Sequence, residues 1–291
     1  MITEALQRKI DHSIDLLRRA EGLALRMHPD GFHLAFSGGK DSQVLYHIAK
    51  MAEVKFKAHM QVTTIDPPEV MAFVRNHYPE VELHRPPLNF YQLIEKKGIL
   101  PTRNVRWCCE KLKEHAGRGS VTLVGVRSAE SARRAKRAEV ERVNTNKARR
   151  KQYKDEGDRE ALFGATDEML HQCVKGSDRI VISPLFRWTD ADVWNFIRGN
   201  GIEYCRLYDE GHHRIGCIFC PMASLKEKQI QRLRYPGFER ALKRSIQHII
   251  DRAGYANRYN ATADEVFEWY LSNDEMPKYF GMIRNQTKLD L

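Results

Sequence analysis

The sequence predicts an α/β fold with a doubly wound, mostly parallel sheet and a helical appendage at its C-terminal end. Three observations support this prediction. Apolar residues alternate over 32–36, then give way to a glycine pair and to apolar residues at helical spacing. Short strand and helix patterns alternate over residues 56–126, as in sheets built from parallel strands. Beyond Gly201 only loop and helix patterns follow.

The chain is organised around the stretch from His33 to Met51. The strand pattern ends at Ser37-Gly38-Gly39, and a helix pattern starts at Lys40. Adjacent glycines allow a tight turn and let a ligand approach the backbone closely. Because the free N–H groups and positive dipole end of the new helix point into this turn, we expect an anion there, namely phosphate. The spacing of a Walker loop is absent.

The side chains of this turn suit a phosphate site. Two serine hydroxyls can donate hydrogen bonds, Lys40 adds a mobile cation, and Asp41 can hold a helix cap or a magnesium ion. The predicted phosphate-binding residues are Ser37, Gly38, Gly39, Lys40, Asp41 and Ser42.

Other elements are predicted around this unit. A strand over Phe56–Ile65 should run parallel to the first, and Thr64 and Asp66 follow at the carboxyl edge where such sheets bind ligands. Alternatively, Asp66 serves only as the N-cap of the next helix and takes no part in ligand binding. Further strands are expected at 81–84, 121–126 and 179–182, and helices at 1–28, 90–97 and 189–198, with later helices capped by Ser224 and Thr262.

Composition narrows the class of protein. The 291 residues are 42% hydrophobic and carry a net charge of +10, which favours an anionic partner. The charged, amphipathic N-terminal helix does not resemble a signal peptide, and no stretch is long enough for a membrane span. We therefore expect a cytoplasmic protein without a membrane partner. Nothing in the sequence indicates its oligomeric state.

A basic run from Arg133 to Arg159 stands out. It contains eleven Lys and Arg against five Asp and Glu, a surplus of 11 − 5 = +6. Because it has few apolar residues, we expect a solvated helix or a mobile excursion. A wet surface, a lid over phosphates and a contact with DNA or RNA are the alternative roles.

The cysteines indicate a metal centre. Cys108 and Cys109 are adjacent, Cys217 and Cys220 form a CxxC pair, and Cys205 precedes that pair by twelve residues. Two pairs of thiolates from distant segments can close a tetrahedral zinc site or an iron–sulfur cluster, so five candidates compete for four places. The sixth, Cys173, is expected to be an ordinary buried thiol, and a set of unliganded core cysteines is the alternative to any metal.

The hexamer SGGKDS resembles the motif of the PP-loop ATP pyrophosphatase superfamily, which cleaves nucleotides between the α and β phosphates. Further segments follow in the order seen in the phosphoadenosine phosphosulfate (PAPS) reductase family. They are Trp107–Cys109 with Lys111 and Lys113, Gly125–Arg134, Pro184–Trp194 and Leu207–Cys220. The resemblance covers roughly residues 30 to 222.

This resemblance implies an adenine-nucleotide fold of the PP-loop type. It also implies a nucleotide site that includes Gly125, contacts from Arg127, Arg133 and Arg134 to phosphate or sulfate, and, in one branch, a [4Fe–4S] cluster on the CC and CxxC cysteines. Arginine forks after a strand end also suit oxyanions on chemical grounds. The family's reductases attack the sulfonucleotide with a cysteine in a C-terminal tail, whereas no cysteine follows Cys220 here.

We therefore expect an enzyme that binds ATP and Mg²⁺ and cleaves ATP to AMP, or an adenylylated substrate, plus pyrophosphate. Lys40, Asp41 and Arg127 are the predicted catalytic residues. A sulfonucleotide reductase and a nucleic-acid-binding accessory protein with a structural metal, zinc or iron–sulfur, are the alternatives. The predicted segments are a leading helix at 1–30, the α/β domain at 31–204 and the cysteine-bearing appendage at 205–291.

Overall fold

The structure is a computed structural model that describes residues 2–144, 149–166, 168–170, 178–252 and 259–289. Its internal contacts divide the chain into two compact units. Unit 1 comprises Met1–Gln61, Pro68–His84 and Glu114–Ile215, and unit 2 comprises Val62–Pro67, Arg85–Lys113 and Gly216–Leu291. Each unit is assembled from three separate segments of the chain. The division into 1–30, 31–204 and 205–291, which was expected from the sequence, stays a prediction.

Unit 1 contains a sheet of seven described strands in the order β3-β2-β1-β4-β7-β5-β6. The first five in this order run parallel, whereas β5 is antiparallel to both β7 and β6. The sheet is therefore mostly parallel, as predicted. The strands are β1 Phe32–Phe36, β2 Phe56–Gln61, β3 Glu82–His84, β4 Val121–Leu123, β5 Val140–Asn144, β6 Arg149–Tyr153 and β7 Asp178–Ile182.

Helices follow most of the parallel strands. They are α1 Glu4–Met27, α2 Lys40–Met51, α3 Pro68–His77, α4 Phe90–Lys97, α5 Trp107–Leu112, α6 Ala132–Ala135, α7 Glu156–Phe163, α8 Asp190–Gly199, α9 Leu225–Arg234, α10 Pro236–Asp251, α11 Ala263–Ser272 and α12 Met276–Leu289. Helices α4, α5 and α9 to α12 belong to unit 2. No helix within the described ranges has the length and apolar character needed to cross a membrane.

Capping residues in the sequence correctly predicted where several of these helices begin. Thr189 and Thr262 form capping boxes at α8 and α11, and the Ser224 side chain accepts from the Glu227 amide at the start of α9. Strand β2 ends at Gln61, four residues before the predicted end at Ile65. The backbone leaves the extended conformation at Thr64, whose φ is 67°. Leu25 is 43% exposed because it lies on the opposite side of α1 from buried Leu23.

The basic run differs from its prediction. In its described residues it forms α6, a β5–β6 hairpin that extends the sheet, and α7. Val140 and Val143 are buried, and so are two carboxylates. Arg159 and Arg187 pair with Glu139, while Arg137 and Arg150 pair with Glu141 at 2.6 and 2.8 Å. These ion pairs allow a charged strand to be buried, so the expectation of a solvated helix or mobile excursion is wrong here.

Unit 2 has its own core, formed by side chains such as Ile94, Trp107, Leu242 and Phe267. Lys228 on α9 is fully buried within it. Its ammonium group donates to the carbonyl oxygens of Tyr270 and Leu271 at 3.0 and 3.3 Å and to Asn273 Oδ1 at 2.5 Å. Lys228 thereby binds the C-terminal carbonyl groups of α11.

Candidate functional site

The glycine turn of unit 1 connects β1 to α2, as predicted. Gly38 has a φ of 71°, and a Cβ at this residue would lie 2.8 Å from side-chain atoms of both Val70 and Val74 on α3. Only glycine meets both constraints without strain. The Ser42 hydroxyl donates to the Gly39 carbonyl oxygen at 2.8 Å and accepts from the Ser37 amide at 3.2 Å. These bonds fix the turn at the N-terminus of α2, where the helix dipole favours an anion.

Four charged side chains of unit 1 converge beside this turn. Arg127 Nε lies 2.6 Å from Asp41 Oδ1, and Arg127 Nη2 lies 3.0 Å from Asp190 Oδ1. Lys40 Nζ lies 3.2 Å from Asp41 Oδ2 and 3.0 Å from Asp190 Oδ1. Both cations are almost fully buried, at 4% exposure for Lys40 and 3% for Arg127. The network has no formal net charge, because two carboxylates balance two cations.

The two cations of this network lower the pKa of Asp190, its most exposed member. Burial alone would raise the pKa of Asp190, but the hydrogen bond and charge of Lys40 and the charge of Arg127 outweigh it, so the pKa lies below its usual value. Asp190 therefore stays ionised at neutral pH. Gly125 is placed against the same network, since a Cβ on it would lie 3.0 Å from the Asp41 carbonyl group. The structure thus gathers the predicted residues Lys40, Asp41, Gly125 and Arg127.

Two residues of this site were not singled out from the sequence. Asp190 accepts from both buried cations, and Tyr208 accepts a hydrogen bond at 2.9 Å from the Lys40 amide at the start of α2. Burial raises the pKa of Tyr208 above its usual value, so its hydroxyl stays protonated. Each lies in a segment that carried the family resemblance, and that position was the available signal.

Other predicted nucleotide-binding residues have different surroundings. Arg134 pairs with Glu130, and Arg133 is exposed on α6. Thr64 and Asp66 belong to unit 2, where the Thr64 hydroxyl accepts from the Phe90 amide at 2.9 Å and Asp66 accepts from the Thr63 amide at 2.6 Å. Their part in nucleotide binding stays a prediction.

Four of the cysteines lie in unit 2. Cys108 and Cys109 are on α5, while Cys217 and Cys220 form a turn in which the Cys220 amide donates to the Cys217 carbonyl oxygen at 3.3 Å. The hydrogen bond to Cys109, then burial, then the charges of Cys109, Cys217 and Cys220 raise the pKa of Cys108. All three other thiols therefore lie close enough to Cys108 to influence its ionisation.

Cationic side chains lie beside two of these thiols, Cys109 and Cys217. The hydrogen bond from Cys108, aided by that from Arg106 at 3.1 Å, lowers the pKa of Cys109. The charge of Cys217 raises the pKa of Lys113, which is hydrogen-bonded to that sulfur. Two cationic side chains therefore offset the charge that four thiolates would carry.

The CxxC turn is held by the core of unit 2. The Phe219 amide donates to Gln231 Oε1 at 2.7 Å, and its carbonyl oxygen accepts from the Tyr270 hydroxyl at 2.8 Å. The Ile218 amide donates to the Ile65 carbonyl oxygen at 2.8 Å. Phe219 has a φ of 54°, which these bonds sustain.

The fifth candidate behaves differently. Cys205 is 1% exposed and packs in the core of unit 1, where burial raises its pKa. Cys173, expected to be an ordinary buried thiol, lies outside the described residues.

A mostly parallel sheet flanked by helices, with a glycine turn and a buried lysine where the first strand meets its helix, defines an α/β protein of the doubly wound class. A comparison with family profiles identifies the family within this class. Residues 31–223 match the phosphoadenosine phosphosulfate reductase domain, and the chain therefore belongs to that family.

Individual relatives are distant. An uncharacterized protein of Methanocaldococcus jannaschii is 28% identical over 199 residues, which are 65% of this chain but only 41% of the relative. A second protein of that organism is 27% identical, with 38% of its length covered, so the chain spans about two fifths of these two relatives. The adenosine 5'-phosphosulfate reductase of Staphylococcus haemolyticus is 25% identical over 75% of this chain and 81% of its own.

Solved structures resemble the chain only weakly. The PAPS reductase of Candida auris, solved as a phosphate complex, has 17% identity and a TM-score of 0.44 over 75% of this chain and 96% of its own. The U34-tRNA thiolase of Methanococcus maripaludis, solved with its [4Fe–4S] cluster, has 14% identity and a TM-score of 0.40 over 84% of this chain and 78% of its own.

Proposed function

We propose that this protein binds ATP together with Mg²⁺ at the glycine turn and cleaves it between the α and β phosphates. An acceptor oxygen, from a substrate or from water, attacks the α phosphorus, and pyrophosphate leaves. The single observation that carries the proposal is the convergence of Lys40, Asp41, Arg127 and Asp190 at the N-terminus of α2.

The charge balance of this network supports a metal-bound nucleotide. Because both cations are already paired with carboxylates, an incoming polyphosphate finds no excess positive charge on these four groups. Asp41 and Asp190 offer carboxylate oxygens of the kind that bind Mg²⁺ alongside phosphates. Bound Mg²⁺ would neutralise charge on the phosphates. The N–H groups of α2 and the ammonium group of Lys40 would stabilise the charge that develops on pyrophosphate.

Product analysis tests this proposal. Anaerobically purified protein is incubated with ATP and Mg²⁺, and separately with PAPS, and the products are identified. We expect AMP or an adenylylated acceptor together with pyrophosphate from ATP. Lys40→Ala and Asp41→Ala should abolish turnover. Melting curves show whether each variant still folds, and undiminished turnover in both folded variants would refute the assignment.

A sulfonucleotide reductase is the second candidate, favoured by the S. haemolyticus relative and by the family match. Sulfite released from PAPS or adenosine phosphosulfate would establish it. It requires a thiol that attacks the sulfonucleotide to form an S-sulfonate and release the nucleotide, and a dithiol reductant added to the assay then releases sulfite as a disulfide forms. The five cysteines considered for the metal site and Cys173 are the candidates for the attack. Release of neither pyrophosphate nor sulfite would support instead a nucleic-acid-binding protein with a structural metal.

We further propose that Cys108, Cys109, Cys217 and Cys220 hold a [4Fe–4S] cluster. Four thiols with two neighbouring cations suit such a cluster. Thiolate ligation alone suits zinc as well as an iron–sulfur cluster, and the family resemblance supplies the preference for iron.

Metal analysis and the visible spectrum of anaerobic protein test this assignment. We expect about four iron atoms per chain, lost in Cys217→Ser and retained in the matched variant Cys205→Ser. Colourless protein with about one zinc would refute the cluster. Loss of iron in Cys205→Ser but not in Cys217→Ser would refute the choice of ligands.

A further inference from the structure

Three side chains of unit 1 place metal-binding atoms together on one face of the sheet. His59 lies on β2, and Glu82 and His84 lie on the short edge strand β3. In the parallel register His59 is opposite Glu82, and His84 follows two residues later on the same face. The strand pairing itself therefore positions all three side chains.

The spacing of the three atoms suits one metal ion. His59 Nδ1 lies 2.8 Å from His84 Nε2, and Glu82 Oε2 lies 3.3 Å from the first nitrogen and 3.7 Å from the second. Ligands of a tetrahedral zinc ion with bonds of about 2.0 to 2.1 Å lie about 3.3 Å apart. The three observed distances between ligand atoms range from 2.8 to 3.7 Å, on either side of this value, so the side chains need to move little to bind the ion.

Neighbouring residues hold two of the ligands in place. The ring of His33 on β1 stacks on His59, with centroids 4.2 Å apart and planes within 7°. Lys57 Nζ lies 3.7 Å from the second carboxylate oxygen of Glu82, leaving Oε2 facing the histidines, and is itself 3.0 Å from Asp30. Such outer contacts orient metal ligands in known sites. The site stays accessible, since the side chains of Glu82 and His84 are 49% and 43% exposed.

We propose that His59, Glu82 and His84 form a binding site for a divalent transition metal ion of the zinc class. Two imidazoles and one carboxylate are ligands that such ions favour over Mg²⁺ or Ca²⁺. The ion would join β3, a three-residue edge strand, to β2. Three protein ligands leave at least one further position for water or another donor.

Cobalt(II) binding tests the site in the full chain with its cysteines intact. Cobalt bound by nitrogen and oxygen gives visible ligand-field bands without the near-ultraviolet charge-transfer bands of cobalt thiolates, so the two sites are distinguished. We expect one equivalent with nitrogen and oxygen ligands in the wild type. His84→Ala and the isosteric Glu82→Gln should each weaken its binding at least tenfold.

His248→Ala is the matched control, because His248 lies 3.3 Å from Glu95 in a surface pair with a single histidine. We expect this variant to bind cobalt at the sheet as the wild type does. If His84→Ala does not fold, judged by circular dichroism, Glu82→Gln decides the question. Wild-type affinity in Glu82→Gln and His84→Ala, or bands of thiolate-bound cobalt alone in the wild type, would overturn the proposal.

Discussion

Replacing Lys228 with methionine should destabilise unit 2 strongly. The side chain is fully buried, and its three hydrogen bonds join α9 to the C-terminal end of α11. Methionine keeps most of the volume but leaves three oxygen acceptors without this donor, of which the two carbonyl oxygens are buried and Asn273 Oδ1 is partly buried. Each unpaired acceptor costs roughly 1 to 3 kcal/mol, and partial relaxation favours the lower end. We therefore expect the free energy of unfolding to fall by about 3 to 5 kcal/mol.

Urea unfolding of anaerobic protein measures this loss. The matched control is Lys226→Met, because Lys226 is exposed on the same helix and should change stability by less than about 0.5 kcal/mol. Equal stability of the two variants would refute the assigned role of Lys228.

The effect should depend on pH. Burial lowers the pKa of Lys228 from 10.5 to about 8 in the folded protein. Between these values the unfolded chain binds more protons than the folded one, so the contribution of Lys228 to stability rises with pH. The difference in stability between wild type and Lys228→Met should therefore be larger at pH 10 than at pH 8, and a constant or shrinking difference would contradict this reasoning.

Three further predictions concern unit 1. Gly38→Ala should lower the melting temperature more than Gly211→Ala, because both residues have a positive φ but only a Cβ at Gly38 meets other atoms within 4 Å. Tyr208→Phe should strengthen pyrophosphate binding severalfold in calorimetric titration, because it frees the Lys40 amide, and unchanged affinity would contradict this role. Replacing the exposed Lys136, Lys151 and Lys154 with serine should reduce affinity for labelled DNA or RNA and its salt dependence, by roughly 0.7 to 0.9 log unit per lost contact per tenfold salt. Identical anisotropy curves for the wild type and the triple variant would exclude a nucleic-acid contact through these lysines. Arg150 is not substituted, because it forms an ion pair with the buried Glu141.

The parts of the fold that could be predicted depend on local sequence. Strand β1, the glycine turn, the start of α2 and the whole of α4 match their predictions, because alternation, glycines and caps act over a few residues. The β5–β6 hairpin could not be predicted in this way. The buried Glu139, which directly precedes β5, is hydrogen-bonded to His12, which lies 127 residues away, and only the folded chain reveals that contact.

The candidate site shows the same division. The turn residues were identified because their motif is contiguous, whereas Asp190 joins Lys40 and Arg127 only through the sheet topology. Sequence left five cysteines for four positions. In the structure Cys205 packs in the core of unit 1 and the other four lie in unit 2, and the choice of metal ligands among them stays a proposal.

The most direct test of nucleotide cleavage is the identity of the phosphorus-containing products formed from ATP and Mg²⁺. Phosphorus NMR of a reaction with anaerobic wild-type protein distinguishes cleavage at the two phosphate bonds. We predict that pyrophosphate accumulates in equal amount with AMP or an AMP adduct, and that Lys40→Ala forms neither. Accumulation of ADP and inorganic phosphate, or equal turnover by folded Lys40→Ala, would contradict the proposed reaction.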